Sequence, residues 1–189
     1  YSAKGVLIIM DNLIAWITSA VAFGTIIMYG SLGEILTEKS GNLNLGVPGI
    51  MYLGGFAGFA SAYFYENYAP NPNAFLCVLI PLVCAFLAAM LGGLIFSFLT
   101  TTLRANQNVT GLAITTFGTG FGDFFGGSLT KILGDGGNLQ LGVTPGYFKA
   151  TLPFANDLGL VGKLFFSYGF LTYTAIAIAL AASFFLKRT

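Results

Sequence analysis

Residues 74–103 read AFLCVLIPLVCAFLAAMLGGLIFSFLTTTL, and no charge interrupts them. At about 1.5 Å per residue such a run makes a helix longer than the ~30 Å hydrocarbon core of a bilayer. Residues 13–32, LIAWITSAVAFGTIIMYGSL, form a second uncharged run. Both exceed the roughly 18 apolar residues that mark a spanning helix. Composition points the same way. The chain has 189 residues, of which 56% are hydrophobic and 8% charged, and its mean hydropathy is +0.81. Soluble domains average roughly 25% charged residues, so this chain cannot cover a water-facing surface. The expected fold is an all-α integral membrane protein. It is a polytopic bundle of about five transmembrane helices, forming a single transmembrane domain over residues 1–189.

Working outward from these runs, the five segments fall at about 13–32, 47–65, 74–103, 108–127 and 164–186. A polar stretch, 33–46, separates the first two. Glu66, Asn67, Pro70, Asn71, Pro72 and Asn73 make a turn-rich loop after the second. Pro81 falls within the first two turns of the third, a position that can kink a helix. Arg104, Ala105, Asn106 and Gln107 form a tight polar break, and 128–163 reads as a long mixed loop. Lys187 and Arg188 abut the last segment and place its end in the cytoplasm. Counting back, Arg104 and Lys39 are also inside, and the N-terminus is outside. Lys131, Lys149 and Lys163 in the outer loop run against this orientation, and the acids there, Asp135 and Asp157, count for little.

Several function classes drop out. With no His there is no imidazole metal site or His-based proton transfer. A net charge of +1 leaves no footprint for nucleic acid. Cys77 and Cys84 are about 10 Å apart along one helix, too far for a bridge, and read as small apolar residues. Residues 13–32 are too long for a signal peptide and lack a basic flank. No Gly-x-x-x-x-Gly-Lys-Ser/Thr loop is present, so any ATP must be bound by a partner. No nucleophile–base pair is visible, so an enzyme is not expected.

Small residues recur every four positions: Gly54, Gly58 and Ala62; Gly118, Gly122 and Gly126; Ala175, Ala179 and Ser183. That spacing lets helix backbones approach closely in lipid. Lining a path with bare backbone is the alternative. Tyr63, Tyr65 and Tyr68 read as interfacial anchors.

Polar groups at membrane depth are costly and need a reason. Asn42 and Asn44 alternate with Leu43 and Leu45 among the helix breakers Gly41, Gly46, Pro48 and Gly49. Irregular backbone survives in a membrane only when buried in protein or facing a wet cavity; a plain cytoplasmic loop is the other reading. Gln107, Asn108, Thr110, Thr115, Thr116 and Thr119 enter the fourth segment from its cytoplasmic end. They suit a polar solute, or equally a helix cap and interhelical hydrogen bonds. The substrate-path candidates are Asn42, Asn44, Gln107, Asn108, Thr110 and Thr115. Asp123 is the one acid well inside a segment, unless it sits at the outer interface. GNLNLGV at 41–47 nearly recurs as GNLQLGV at 137–143, but the flanks differ.

The stretch 33–51 resembles the signature of permease subunits of bacterial ABC importers for nucleosides and simple sugars, in the branched-chain amino acid/ribose permease superfamily. Those permeases read Gly-Glu, a short charged turn, then Gly-x-Leu-Asn-Leu-Gly-x-Glu-Gly-Met-Met. Gly41, Leu43, Asn44, Leu45, Gly46 and Gly49 fit, and Pro48 stands where the family has Glu. Asn106, Gln107, Val109, Thr110 and Gly111 are similar to a second family stretch, Asn-Gln-x-Val-Ser/Thr-Gly. Residues 158–162, with the apolar helix ending at Lys187, Arg188 and Thr189, are similar to a third.

The resemblance implies a multi-pass permease subunit of the bacterial plasma membrane that moves a nucleoside or simple sugar by alternating access. It implies a second permease subunit, a cytoplasmic ATPase that binds the ATP, and an extracellular substrate-binding lipoprotein, besides lipid. It also implies that this chain is the N-terminal half of a longer permease, ending before the ATPase-coupling loop. An ion- or proton-coupled secondary transporter using Asp123 or Glu34 is the alternative, and a non-transporting membrane scaffold a third reading.

Overall fold

The computed structural model describes residues 3–133, 139–151 and 159–188. It is built from α1 (Ala3–Lys39), α2 (Val47–Tyr68), α3 (Ala74–Ser97), α4 (Gln107–Leu133), α5 (Thr144–Phe148), α6 (Gly159–Phe165) and α7 (Phe170–Arg188). No strand occurs among the described residues. Among the described residues, four stretches are long and apolar enough to cross a membrane: Asn12–Lys39, Val47–Tyr68, Ala74–Thr102 and Phe170–Arg188. The chain is an all-α, polytopic membrane protein. The fifth expected segment, α4, is long enough at 27 residues but less apolar, because threonines and glycines dilute it.

Helix ends differ from the sequence reading, each for a local reason. The first helix does not stop at residue 32 but runs to Lys39, because Glu34, Leu36, Glu38 and Lys39 favour helix. It ends in a Schellman motif. Gly41 takes φ 88°, its N–H donates to the Glu38 carbonyl (2.9 Å), and Asn42 N–H donates to the Thr37 carbonyl (3.1 Å). Pro48 lies in the first turn of α2, where a missing N–H costs no hydrogen bond. The helix runs on through Pro81. Asn73 caps α3 by accepting from Phe75 N–H at 3.0 Å.

The third segment is not α-helical to residue 103. Phe98–Thr102 forms a π turn at the three successive threonines. Arg104, at φ 51°, then reverses the chain. Asn106 Oδ1 accepts from Asn108 N–H (3.0 Å) and Val109 N–H (3.2 Å), capping α4. The expected loop 128–163 is partly helical, holding the end of α4, α5, and most of α6. The last segment splits into α6 and α7, and Gly169 lies at the break, where a Cβ would come 2.1 Å from the Phe148 carbonyl oxygen. Asp135, Asp157 and the start of the near-repeat at 137–138 lie outside the described residues.

Two compact units share the chain. One comprises Tyr1–Leu32 and Phe148–Thr189. In it Tyr29 Oη donates to the Leu171 carbonyl (2.8 Å), and Thr25 Oγ1 donates to Thr172 Oγ1 (3.3 Å). Ala175 is buried beside these contacts, whereas Ser183 is exposed. The other unit is Gly33–Tyr147, with α2 packed against both α3 and α4. Gly54 and Gly58 face α3: Cβ atoms there would lie 3.1 Å from the Ala85 carbonyl oxygen and 3.3 Å from that of Pro81. Cys77 is fully buried.

Candidate functional site: the joint between loop 40–46 and α4

The two polar stretches singled out in the sequence meet in the second unit. Gln107 Nε2 donates to Asn42 Oδ1 at 2.8 Å, and Gln107 Oε1 accepts from Leu43 N–H at 2.9 Å. One side-chain amide thus holds a loop residue by its side chain and the next by its backbone. Asn44 is 5% exposed and its Oδ1 accepts from Gly46 N–H at 2.9 Å, closing a turn that leads into α2. Thr115 Oγ1 donates to the Leu45 carbonyl at 2.6 Å.

Bare backbone completes the joint. A Cβ on Gly111 would lie 2.8 Å from Leu45 N, one on Gly46 3.3 Å from Ile114 Cβ, and one on Gly118 2.3 Å from the Gly49 carbonyl oxygen. Loop and α2 therefore run up α4 in step: Leu45 beside Gly111, Gly49 beside Gly118, Tyr52 beside Gly122. The two helices point the same way.

The structure separates the candidates. Asn42, Gln107 and Thr115 are brought to the same loop, through Asn42 Oδ1, both ends of the Gln107 amide and the Thr115 hydroxyl. Asn44 is turned into its own loop. Thr110 is buried, and Asn108 is exposed. At Gly126, the third glycine of the stripe on α4, a Cβ would meet nothing within 4 Å among the described residues. Phe56 packs against Phe121 (centroids 5.7 Å) and Phe125 (6.2 Å), so bulky rings replace bare backbone above Gly122. Gly122 itself meets a side chain, the Tyr52 ring, with a Cβ falling 2.3 Å from Cδ1. Glu34 lies on α1, within two turns of its end.

Two contacts have no counterpart in the sequence reading. Tyr52 Oη donates to Asp123 Oδ1 at 2.9 Å. Asp123 stands out in the sequence as an acid inside a segment, but its tyrosine partner is 71 residues away. At the far end of α2, the Glu66 carboxylate accepts from the backbone N–H groups of Gly142 (2.8 Å), Val143 (3.3 Å) and Thr144. The second copy of the near-repeat thus serves a contact unlike the first. Glu66→Gln puts an amide where backbone donors converge. Hydrogen exchange at 142–144 should then speed up by about tenfold, the equivalent of roughly one hydrogen bond. Exchange unchanged at all three amides would show that Glu66 does not hold this segment.

The comparisons fit this geometry. The family described as branched-chain amino acid transport system / permease component matches residues 16–189, which include both halves of the joint. The chain is similar to a putative glucose ABC transporter permease protein of Haloferax volcanii, at 30% identity over 177 residues, 92% of this chain and 48% of the relative. It is similar to a guanosine ABC transporter permease protein of Bacillus subtilis, at 27% identity, covering 92% of this chain and 52% of the relative. A nucleoside ABC transporter permease protein of Lactococcus lactis is 24% identical over 96% of this chain and 54% of its own length. The chain spans about half the length of the curated relatives it matches. No solved structure matches it significantly. By a match that takes in four helices long enough to span and the joint at Gln107, the chain belongs to the family of branched-chain amino acid transport system permease components.

Proposed function

We propose that this chain is part of the transmembrane permease of an ATP-binding-cassette importer for a nucleoside or simple sugar. The observation that carries the reading is the family match over residues 16–189, supported by relatives named for glucose, guanosine and nucleosides. On this reading the protein resides in the plasma membrane of a prokaryote. A second permease subunit completes the path, a cytoplasmic ATPase binds the ATP, and an extracellular lipoprotein delivers the solute. Asn42, Asn44 and Gln107 position loop 40–46. Asn108, Thr116 and Thr119 are the polar groups left to face the path. The chain itself carries out no covalent chemistry.

The test uses the complete permease containing this chain, reconstituted with its ATPase and binding protein in sealed vesicles. Uptake of labelled guanosine or glucose should require ATP on the ATPase side and survive a protonophore. Uptake that ignores ATP and collapses with the proton gradient would overturn the reading in favour of a carboxylate-coupled secondary transporter.

A further inference from the structure

The Tyr52–Asp123 pair is placed where a membrane protein seldom leaves polar groups without a task. Tyr52 lies five residues after Val47 and sixteen before Tyr68 in α2. At ~1.5 Å per residue that is about 8 Å and 24 Å from the helix ends. Since α2 is about as long as the hydrocarbon core is thick, the pair falls inside that core. Both residues are nevertheless exposed, Tyr52 by 46%. The Tyr52 hydroxyl reaches one carboxylate oxygen; among the described residues no other hydrogen bond reaches Asp123. A half-used carboxylate turned to lipid is costly, and acids at this depth face a bundle interior or a water-filled cavity.

The surroundings are arranged around the pair. Gly122, next to Asp123, has no side chain, and a Cβ there would sit 2.3 Å and 2.5 Å from Tyr52 Cδ1 and Cε1. That bare backbone seats the Tyr52 ring on α4 with its hydroxyl at the carboxylate. Thr119 and Thr115 precede Asp123 by four and eight residues, which puts all three on one face of α4. Thr115 is bonded to the Leu45 carbonyl, so the polar stripe is continuous with loop 40–46.

We infer that Tyr52 and Asp123 form a solute subsite on the permeation path, one that takes a polyhydroxylated ring. The free Asp123 oxygen accepts hydrogen bonds from ring hydroxyls, and the Tyr52 ring lies under the apolar face of the same ring. This deepens the proposed function and rests on it. A pyranose sugar and the ribose of a nucleoside share this chemistry, and the test separates them.

The complete permease is prepared with Cys77→Ala and Cys84→Ala, and Asp123→Cys or Tyr52→Cys is added. Each is treated in proteoliposomes with a water-soluble maleimide, with Ser40→Cys as an exposed control. Both positions should label. D-glucose, D-ribose or guanosine, delivered by the binding protein, should slow that labelling, and 2′,3′-dideoxyguanosine should not. Protection by guanosine alone assigns a nucleoside site, and by glucose or ribose alone a sugar site; either supports the inference. Asp123→Asn should raise KM for the protecting solute about tenfold and leave kcat nearly unchanged. Failure of both positions to label while Ser40→Cys reacts overturns the inference, because the pair is then covered by lipid or protein. So does labelling at both positions that none of the three solutes slows, even well above the concentration that saturates the parent, since each variant keeps one residue of the pair. Solute protection without ATP-driven uptake would instead leave the subsite standing and remove the importer reading.

Discussion

Gly118→Ala is expected to destabilise the protein by about 3 kcal/mol or more, at the upper end of overpacking effects. The added Cβ would fall 2.3 Å from the Gly49 carbonyl oxygen, 2.6 Å from its carbonyl carbon and 2.7 Å from its Cα. All three are backbone atoms of α2, so no rotamer change relieves the clash and the helices must separate. Separation strains the Thr115–Leu45 bond and the seat of the whole loop on α4. Gly126→Ala is the control, since a Cβ there meets nothing within 4 Å among the described residues; its effect should stay within about 0.5 kcal/mol. Thermal unfolding in detergent compares the two. A Gly118→Ala protein as stable as the parent would mean that α2 and α4 do not touch at this point.

Gln107→Leu should act on function more than on stability. It removes two hydrogen bonds and leaves Leu43 N–H and Asn42 Oδ1 without their partner. Leu43 is exposed, so water takes over part of the loss, and the cost is about 1–2 kcal/mol. The loop, however, loses the clamp that fixes it to the start of α4. If the proposed function holds, ATP-driven uptake should fall at least about tenfold while the protein still reaches the membrane. Gly111→Ala should give the same phenotype by a different cause, pushing on Leu45 N and Gly46 N from below. Normal uptake by both variants would show that the joint has no part in transport.

The membrane fold was legible because uncharged runs such as 74–103 admit no other solution: in lipid every backbone polar group must be paired within the segment. Helix ends were less legible. Glu34, Glu38 and Lys39 look like loop residues by polarity, yet they are good helix formers, and only the Schellman turn at Gly41 stops α1. Leu164 looked continuous with the last span, but Gly169 has to pass against the Phe148 carbonyl. At the site, Asn42, Gln107 and Thr115 stood out because amides and hydroxyls need partners at depth. Their partners could not be read, since Asn42 and Gln107 are 65 residues apart and both suited a solute equally well. The stripe of Gly118, Gly122 and Gly126 marked a face of α4. Periodicity does not say where two helices part company, and here the rings of Phe56, Phe121 and Phe125 take over beyond Gly122. Tyr52 left no sequence signal, being one of several hydroxyl residues in an otherwise apolar helix.

The central claim is that loop 40–46 is seated on α4, making the two motif stretches one joint. A disulfide between Gly46→Cys and Ile114→Cys tests it most directly. A Cβ at residue 46 would lie 3.3 Å from Ile114 Cβ, within a few tenths of an ångström of the ~3.5–4.5 Å that disulfides span. The pair is built in a Cys77→Ala, Cys84→Ala background with a protease site inserted in the loop between α2 and α3. After oxidation in native membranes and cleavage, the account predicts one band on a non-reducing gel that splits on reduction. Two bands without reduction would contradict it, provided that the control pair Gly54→Cys and Ala89→Cys, with Cβ atoms 3.4 Å apart across α2 and α3, does cross-link.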